Sequence, residues 1–108
     1  MSTRELAEYA ADQLSDLSGI RYIPMMGGYI FYINERIFGG IYGDGFMVKI
    51  TNASSAALPD AVPAPPYEGA KNMLPALNLD DRQAFSAMVA AMEPELPVQK
   101  PRKGRKKS

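Results

Sequence analysis

Apolar residues in "STRELAEYAADQLSDLSG" recur at helical spacing: Leu6, Tyr9, Ala10, Leu14 and Leu17 share one stripe, and Glu5, Glu8, Asp12 and Asp16 fall outside it. Ser2 or Thr3 can cap this first helix, with Glu5 three residues after Ser2 in capping-box spacing. Gly19 reads as a left-handed cap at its end. A helix with a single apolar stripe needs a surface to bury it against, and the stretch that follows supplies one. Ile20, Tyr22 and their neighbours form a short strand ending near Pro24, and residues 29–33, "YIFYI", are too aromatic and β-branched to favour a helix. Asn34 and Glu35 make a two-residue turn into "RIFGGIY". Asp44 and Gly45 make another, because both central positions of a type I′ turn want positive φ; it leads into residues 46–50, "FMVKI".

The second half is more broken. Residues 51–58, "TNASSAAL", read as a short helix capped by Thr51 or Asn52. Pro59, Pro63, Pro65 and Pro66 then forbid a helix or central strand and force an extended connection, anchored by Tyr67. A brief strand near "KNMLPAL", broken by Pro75, precedes a last helix. That helix takes Asp80 or Asp81 as cap, carries Phe85, Met88, Val89 and Met92 on one face, and stops before Pro94. The predicted fold class is α+β: an antiparallel β-meander of roughly four to five strands covered by N- and C-terminal helices, within a domain spanning residues 1–96.

Composition narrows the chemistry. The 108 residues amount to one domain, and cysteine, histidine and tryptophan are absent, which removes disulfides, thiolate and imidazole chemistry and most transition-metal sites. A reducing cytoplasm is the expected home. No apolar stretch reaches the 18 or so residues of a membrane span, and "MSTRELAEYA" carries acids where a signal peptide would be basic.

Charge divides the chain. Six basic side chains face all twelve acidic ones before residue 100, whereas "KPRKGRKKS" holds six basic residues and no acid. With nothing apolar to fold around, residues 97–108 are expected to be a disordered tail. Lys100, Arg102, Lys103, Arg105, Lys106 and Lys107 can displace counterions from a polyphosphate, each phosphate contact adding a salt slope of about −0.9 on duplex DNA. Lacking interleaved aromatics, they read no sequence. Weak, nonspecific attraction to nucleic acid or an acidic partner stands beside the alternative of a solubilising tail folded back on the acidic body.

Catalytic material is sparse. Gly27 and Gly28 are followed by a strand, with no basic residue between Arg21 and Arg36, so they suit a turn or bulge better than a phosphate cradle. Asp44 disfavours phosphate at "GGIYGDG" in the same way. Gly39 and Gly40 leave room for a large neighbour or a close backbone approach: Tyr29, Phe31 or Tyr32 fills the gap, or it forms a shallow groove for a partner peptide. The adjacent acids Asp80 and Asp81, and Glu93 and Glu95, fit helix capping or solvation, and Ser54 and Ser55 lack an activating base. No cofactor is implied. Met88 and Met92 belong to a core stripe, which leaves Met25 and Met26 as the exposed, adaptable pair.

Met25, Met26, Gly27, Gly28 and Tyr29, then Tyr32, a turn, Ile37 and Phe38, then Asp44 and "FMVK" ending at Lys49, resemble the N-terminal domain of the TfoX/Sxy family. That family's pattern runs roughly R-x-M-F-G-x-x-G-x-Y, a Gly-containing turn, a Phe strand and L-Y-x-K; "APPYEGAKNM" is similar to its proline-tyrosine connection. The resemblance covers residues 3–93; Met26 replaces the usual Phe, Ile30 a frequent Gly, and Asn34 with Glu35 a common Asp-Gly turn. It implies an antiparallel sheet covered by helices, similar to secretion chaperones, and a regulatory role. Full-length members activate natural competence together with the cyclic-AMP receptor protein, and carry a second domain where this chain has its basic tail. The expected function is therefore a non-enzymatic regulatory or adaptor domain in transcription or competence-type regulation. It would bind a protein partner, transcription machinery included, through Met25, Met26, Gly27, Gly28 and Tyr29. The competing reading is a small-molecule-binding or enzymatic domain using the corner from Gly27 to Tyr32, which requires convergent polar groups beside Gly27.

Overall fold

Five strands pair in chain order, each antiparallel to the one before it, so the sheet is a simple meander. The computed structural model describes residues 2–43 and 45–98. Along the chain lie α1 (Thr3–Gln13), β1 (Ile20–Met25), β2 (Gly28–Ile33), β3 (Arg36–Tyr42), β4 (Gly45–Val48), α2 (Asn52–Ala57), β5 (Leu74–Pro75) and α3 (Arg82–Met92), with a 3₁₀ turn at Glu93–Glu95. The basic run from Lys100 to Lys107 falls outside the described residues.

The turns explain the meander. Met26 (φ 49°) and Gly27 (φ 83°) close the first hairpin, and Asn34 (φ 48°) and Glu35 (φ 69°) close the second. Positive φ at both central positions matches the right-handed twist of the flanking strands. In the third hairpin Tyr42 pairs with Gly45 and Gly43 has φ 66°, so the turn sits one residue earlier than the Asp44-Gly45 expectation. Gly43 supplies the left-handed geometry, which frees Gly45 to open β4. The two edge strands each contain a proline, Pro24 in β1 and Pro75 in β5, where a missing N–H costs least and discourages further strand pairing.

The helices are set by their caps. Ser2 Oγ accepts the Glu5 N–H at 3.1 Å while Glu5 Oε1 accepts the Ser2 N–H at 2.8 Å, a complete capping box. Thr51 and Ser54 repeat the reciprocal arrangement at α2, and Asp81 Oδ1 accepts the Ala84 N–H at the start of α3. However, α1 stops at Gln13 and does not reach Gly19. From Leu14 the bonds tighten to i→i+3, including Ser15 N–H to Asp12 O and Leu17 N–H to Leu14 O, in a stretch whose serines and Asp16 compete for backbone groups. Gly19 is thus no helix cap. Its φ of 80° leads into β1, its carbonyl accepts the Asn34 N–H at 2.8 Å, and a Cβ there would overlap Asn34 Oδ1.

The core lies between the helices and one face of the sheet. Ala7 and Ala10 of α1, Leu14 just beyond it, and Phe85, Met88, Val89 and Met92 of α3 pack with Phe31, Phe38, Ile41, Phe46 and Val48. A bulge makes this possible: Phe31 pairs with Gly39 but Tyr32 pairs with Ile37, so Phe38 is the extra residue and turns inward to full burial. Each fully buried Phe contributes about 2–3 kcal/mol. The glycines beside the bulge serve a close backbone approach, one of the two uses expected of them, and not an aromatic-filled gap or a peptide groove. A Cβ on Gly39 would lie 2.3 Å from Met47 O, and one on Gly40 2.2 Å from Tyr29 O, because neighbouring backbone occupies the space.

Candidate partner surface and ligand cavity

Alternation along the strands sends a second set of side chains to the face opposite the core. Register aligns Ile23, Ile30, Gly40, Met47 and Pro75 in one row across all five strands of that face. Ile23 is 38% exposed and Met25, two residues on, is 42% exposed. Beside the row, the Arg21 guanidinium sits 4.0 Å from the centre of the Tyr32 ring and grips Glu35 through Nη2–Oε1 (2.7 Å) and Nε–Oε2 (2.8 Å). Hydrogen bonding to Arg21 holds the Glu35 carboxyl below its ordinary value.

The first hairpin sorts its candidate residues. Met25, Met26 and Gly27 are exposed at the tip, Met26 at 96%. Gly28 is buried, with Ile41 O where its Cβ would be, and Tyr29 is half-buried against the core, edge-on to Tyr22. Gly28 and Tyr29 therefore do not share the exposure of the two methionines.

A loop overhangs this end of the sheet. Ala64 and Met73 exchange two backbone hydrogen bonds, and the Ala70 N–H donates to Tyr67 O in a turn that uses Gly69 at φ 87°. The turn carries Tyr67 to Tyr42, ring centres 6.1 Å apart. At 59% exposure Tyr67 forms a surface wall, holding the connection through this ring contact. Pro66, Tyr67 and Tyr42 border two cavities. The smaller, about 350 Å³, adjoins Met25, Met26, Ile41 and Gly43, and none of its lining residues is charged. Gly27 faces open space, so polar groups do not converge there in the way the corner reading requires. The larger, about 540 Å³, is lined by Ile37, Lys49, Thr51, Lys71, Asn72 and Met73 among others. Burial, then the charge of Lys71, lowers the Lys49 pKa, and burial pushes the Tyr42 phenol up.

The acids are occupied in joining elements. Asp80 Oδ1 accepts the Tyr9 hydroxyl at 2.6 Å, tying α1 to the entry of α3. Glu93 Oε2 accepts from Asn34 Nδ2, while Glu95 accepts the Asn52 and Ala53 N–H groups at the start of α2. Ser54 Oγ donates to Lys49 O at 2.7 Å. Among the described residues no cluster of three or more acidic side chains is placed to hold a metal ion, and no helix is long and apolar enough to cross a membrane. Sequence reasoning missed the convergence of Lys49 with Lys71, which no local pattern announces, and buried Gln13, whose Nε2 donates to Leu79 O at 2.8 Å.

The family model of the TfoX N-terminal domain matches residues 12–92. The chain is also 26% identical over 103 residues to a Spirochaeta aurantia protein described as an uncharacterized 12.7 kDa protein in the trpE 5′ region, covering 94% of this chain and 90% of that one. No solved structure matches.

Proposed function

The chain belongs to the TfoX N-terminal domain family, and from that membership we propose that it is a cytoplasmic regulatory adaptor that binds a protein partner and turns over no substrate. The observation that carries this reading is the apolar edge formed by Ile23, Met25 and Met26, all exposed beside a register row of apolar side chains. Thioethers adapt to irregular partners, and covering the exposed Met26 would stabilise a complex by about 1.5–3 kcal/mol before association costs, with less than half as much from Ile23 and from Met25, which are already partly covered. The partner belongs to transcription or competence-type control, and the Lys/Arg run at residues 100–107 adds sequence-independent attraction to nucleic acid.

The test is retention of partners from an extract of the cell of origin on the immobilised chain, on Ile23→Glu and Met26→Glu variants, and on a chain ending at residue 99. A defined protein should stay on the wild type and the shortened chain at salt that strips nucleic acid, and should be lost from both Glu variants. Retention that needs the tail and ignores Ile23 and Met26 overturns the reading.

A further inference from the structure

The larger cavity goes beyond the adaptor reading. We propose that it binds a small organic anion, with a carboxylate or phosphate ester between the Lys49 and Lys71 amines and a flat apolar body against Tyr42 and Tyr67.

Three observations converge on this. First, both lysines line the same cavity, and among the described residues the ion pairs are made by Arg4, Arg21 and Arg82, with neither lysine entering one. Glu95 also lines the cavity, but its two carboxylate oxygens accept the Asn52 and Ala53 N–H groups at 2.9 and 3.0 Å. The partly buried Lys49 and the exposed Lys71 thus set two positive charges against the one carboxylate of Glu95 around the cavity, a balance that an entering anion suits. Second, Thr51 and Asn72 add a hydroxyl and an amide to the lining, beside apolar wall from Ile37, Ile50 and Met73, so the lining is mixed in character. Small-molecule sites occupy concavities of about 300–1,000 Å³, and 540 Å³ lies within that range. Third, Tyr42, Pro66 and Tyr67 are shared with the uncharged cavity beside Met25, so an apolar body has continuous wall to extend along.

The size favours a compact ligand over a polymer. The chemistry favours an acid over a cation, because the amines stand where a cation would have to sit.

The experiment is a ¹H–¹⁵N NMR titration of the full chain with phenyl phosphate and with benzoate, set against inorganic phosphate, which has no apolar body, and benzyl alcohol, which has no charge. Phenyl phosphate or benzoate should give saturable shifts at the amides of Tyr42, Thr51, Tyr67 and Asn72, and the tighter of the two identifies the acid group preferred. Inorganic phosphate and benzyl alcohol should bind at least about tenfold more weakly. Lys71→Met, at an exposed position that leaves the core untouched, should weaken the aromatic anion by a similar factor, as should Lys49→Met, while Lys49→Arg should retain most of it. Absence of saturable shifts at those amides, equal binding of benzyl alcohol, undiminished binding to Lys71→Met in a spectrum that remains dispersed, or shifts confined to residues 100–108 would each overturn the proposal.

Discussion

Gly40 and Tyr29 stand on adjacent strands with no room between them for a methyl group: a Cβ on Gly40 would lie 2.2 Å from the Tyr29 carbonyl oxygen. Because the obstacle is backbone in the middle of the sheet, it cannot swing away as a flexible side chain would. The contact ties the glycines of β3 to the way β2 and β3 coil around the core.

Gly40→Ala should therefore destabilise the fold by about 2–4 kcal/mol, through overpacking against main chain. Gly27→Ala provides the contrast. Gly27 has φ 83° and open space around it, so the substitution should cost only about 1–2 kcal/mol of left-handed strain. Urea unfolding of the two variants measures the difference; equal losses would show that the close approach at Gly40 carries no energy of its own.

Phe31 is the hub of the aromatic core, stacked on Tyr22 at 4.8 Å and edge-on to Phe46 at 4.9 Å and Phe38 at 6.0 Å. Phe31→Ala should cost about 3–5 kcal/mol, a large share of the roughly 5–15 kcal/mol available to a domain. Phe31→Leu should cost clearly less. Thermal and urea midpoints of the two variants check the order.

Glu95 caps a helix that it does not belong to. Its carboxylate adds to the Thr51–Ser54 box at α2, so Glu95→Ala should cost about 1 kcal/mol while leaving that box in place. Amide exchange at Asn52 and Ala53 should speed up in the variant, and unchanged exchange would contradict the cap.

Lys49 supplies a pH signature. Burial and then Lys71 lower its pKa from 10.5, so the folded chain releases this proton before the unfolded chain does. Its contribution to stability is unfavourable at neutral pH and improves as pH rises through the lowered value toward 10.5. Tyr42 runs the other way: its raised pKa gives a contribution present below 10.0 and lost as pH rises through the folded value. Lys71→Met should move the Lys49 titration back upward, read from its side-chain carbon shifts, without moving Tyr42 in the same direction.

Much of the architecture was legible in short stretches. The Ser2–Glu5 box, the Thr51 and Asp81 caps, the period-2 aromatics of residues 29–33 and the Asn34–Glu35 turn each depend on neighbours a few positions away. Less legible were the end of α1 and the role of Gly19. Leu17 continues the apolar stripe but packs half-buried outside the helix, and Gly19 answers to Asn34 across the sheet. Of the candidate surface, exposure at Met25 and Met26 could be read from the pattern, while the inward turn of Tyr29 depended on register.

By itself, then, the sequence determined which segments become helices and strands and that the strands meander, because caps, φ preferences and side-chain periodicity act within one turn or one hairpin. Tertiary structure alone decided that Lys49 and Lys71 line one cavity, that Glu95 caps α2 and that Tyr67 leans on Tyr42. Those meetings are set by the path of the backbone between distant positions, and no local preference of either residue encodes where that path brings it.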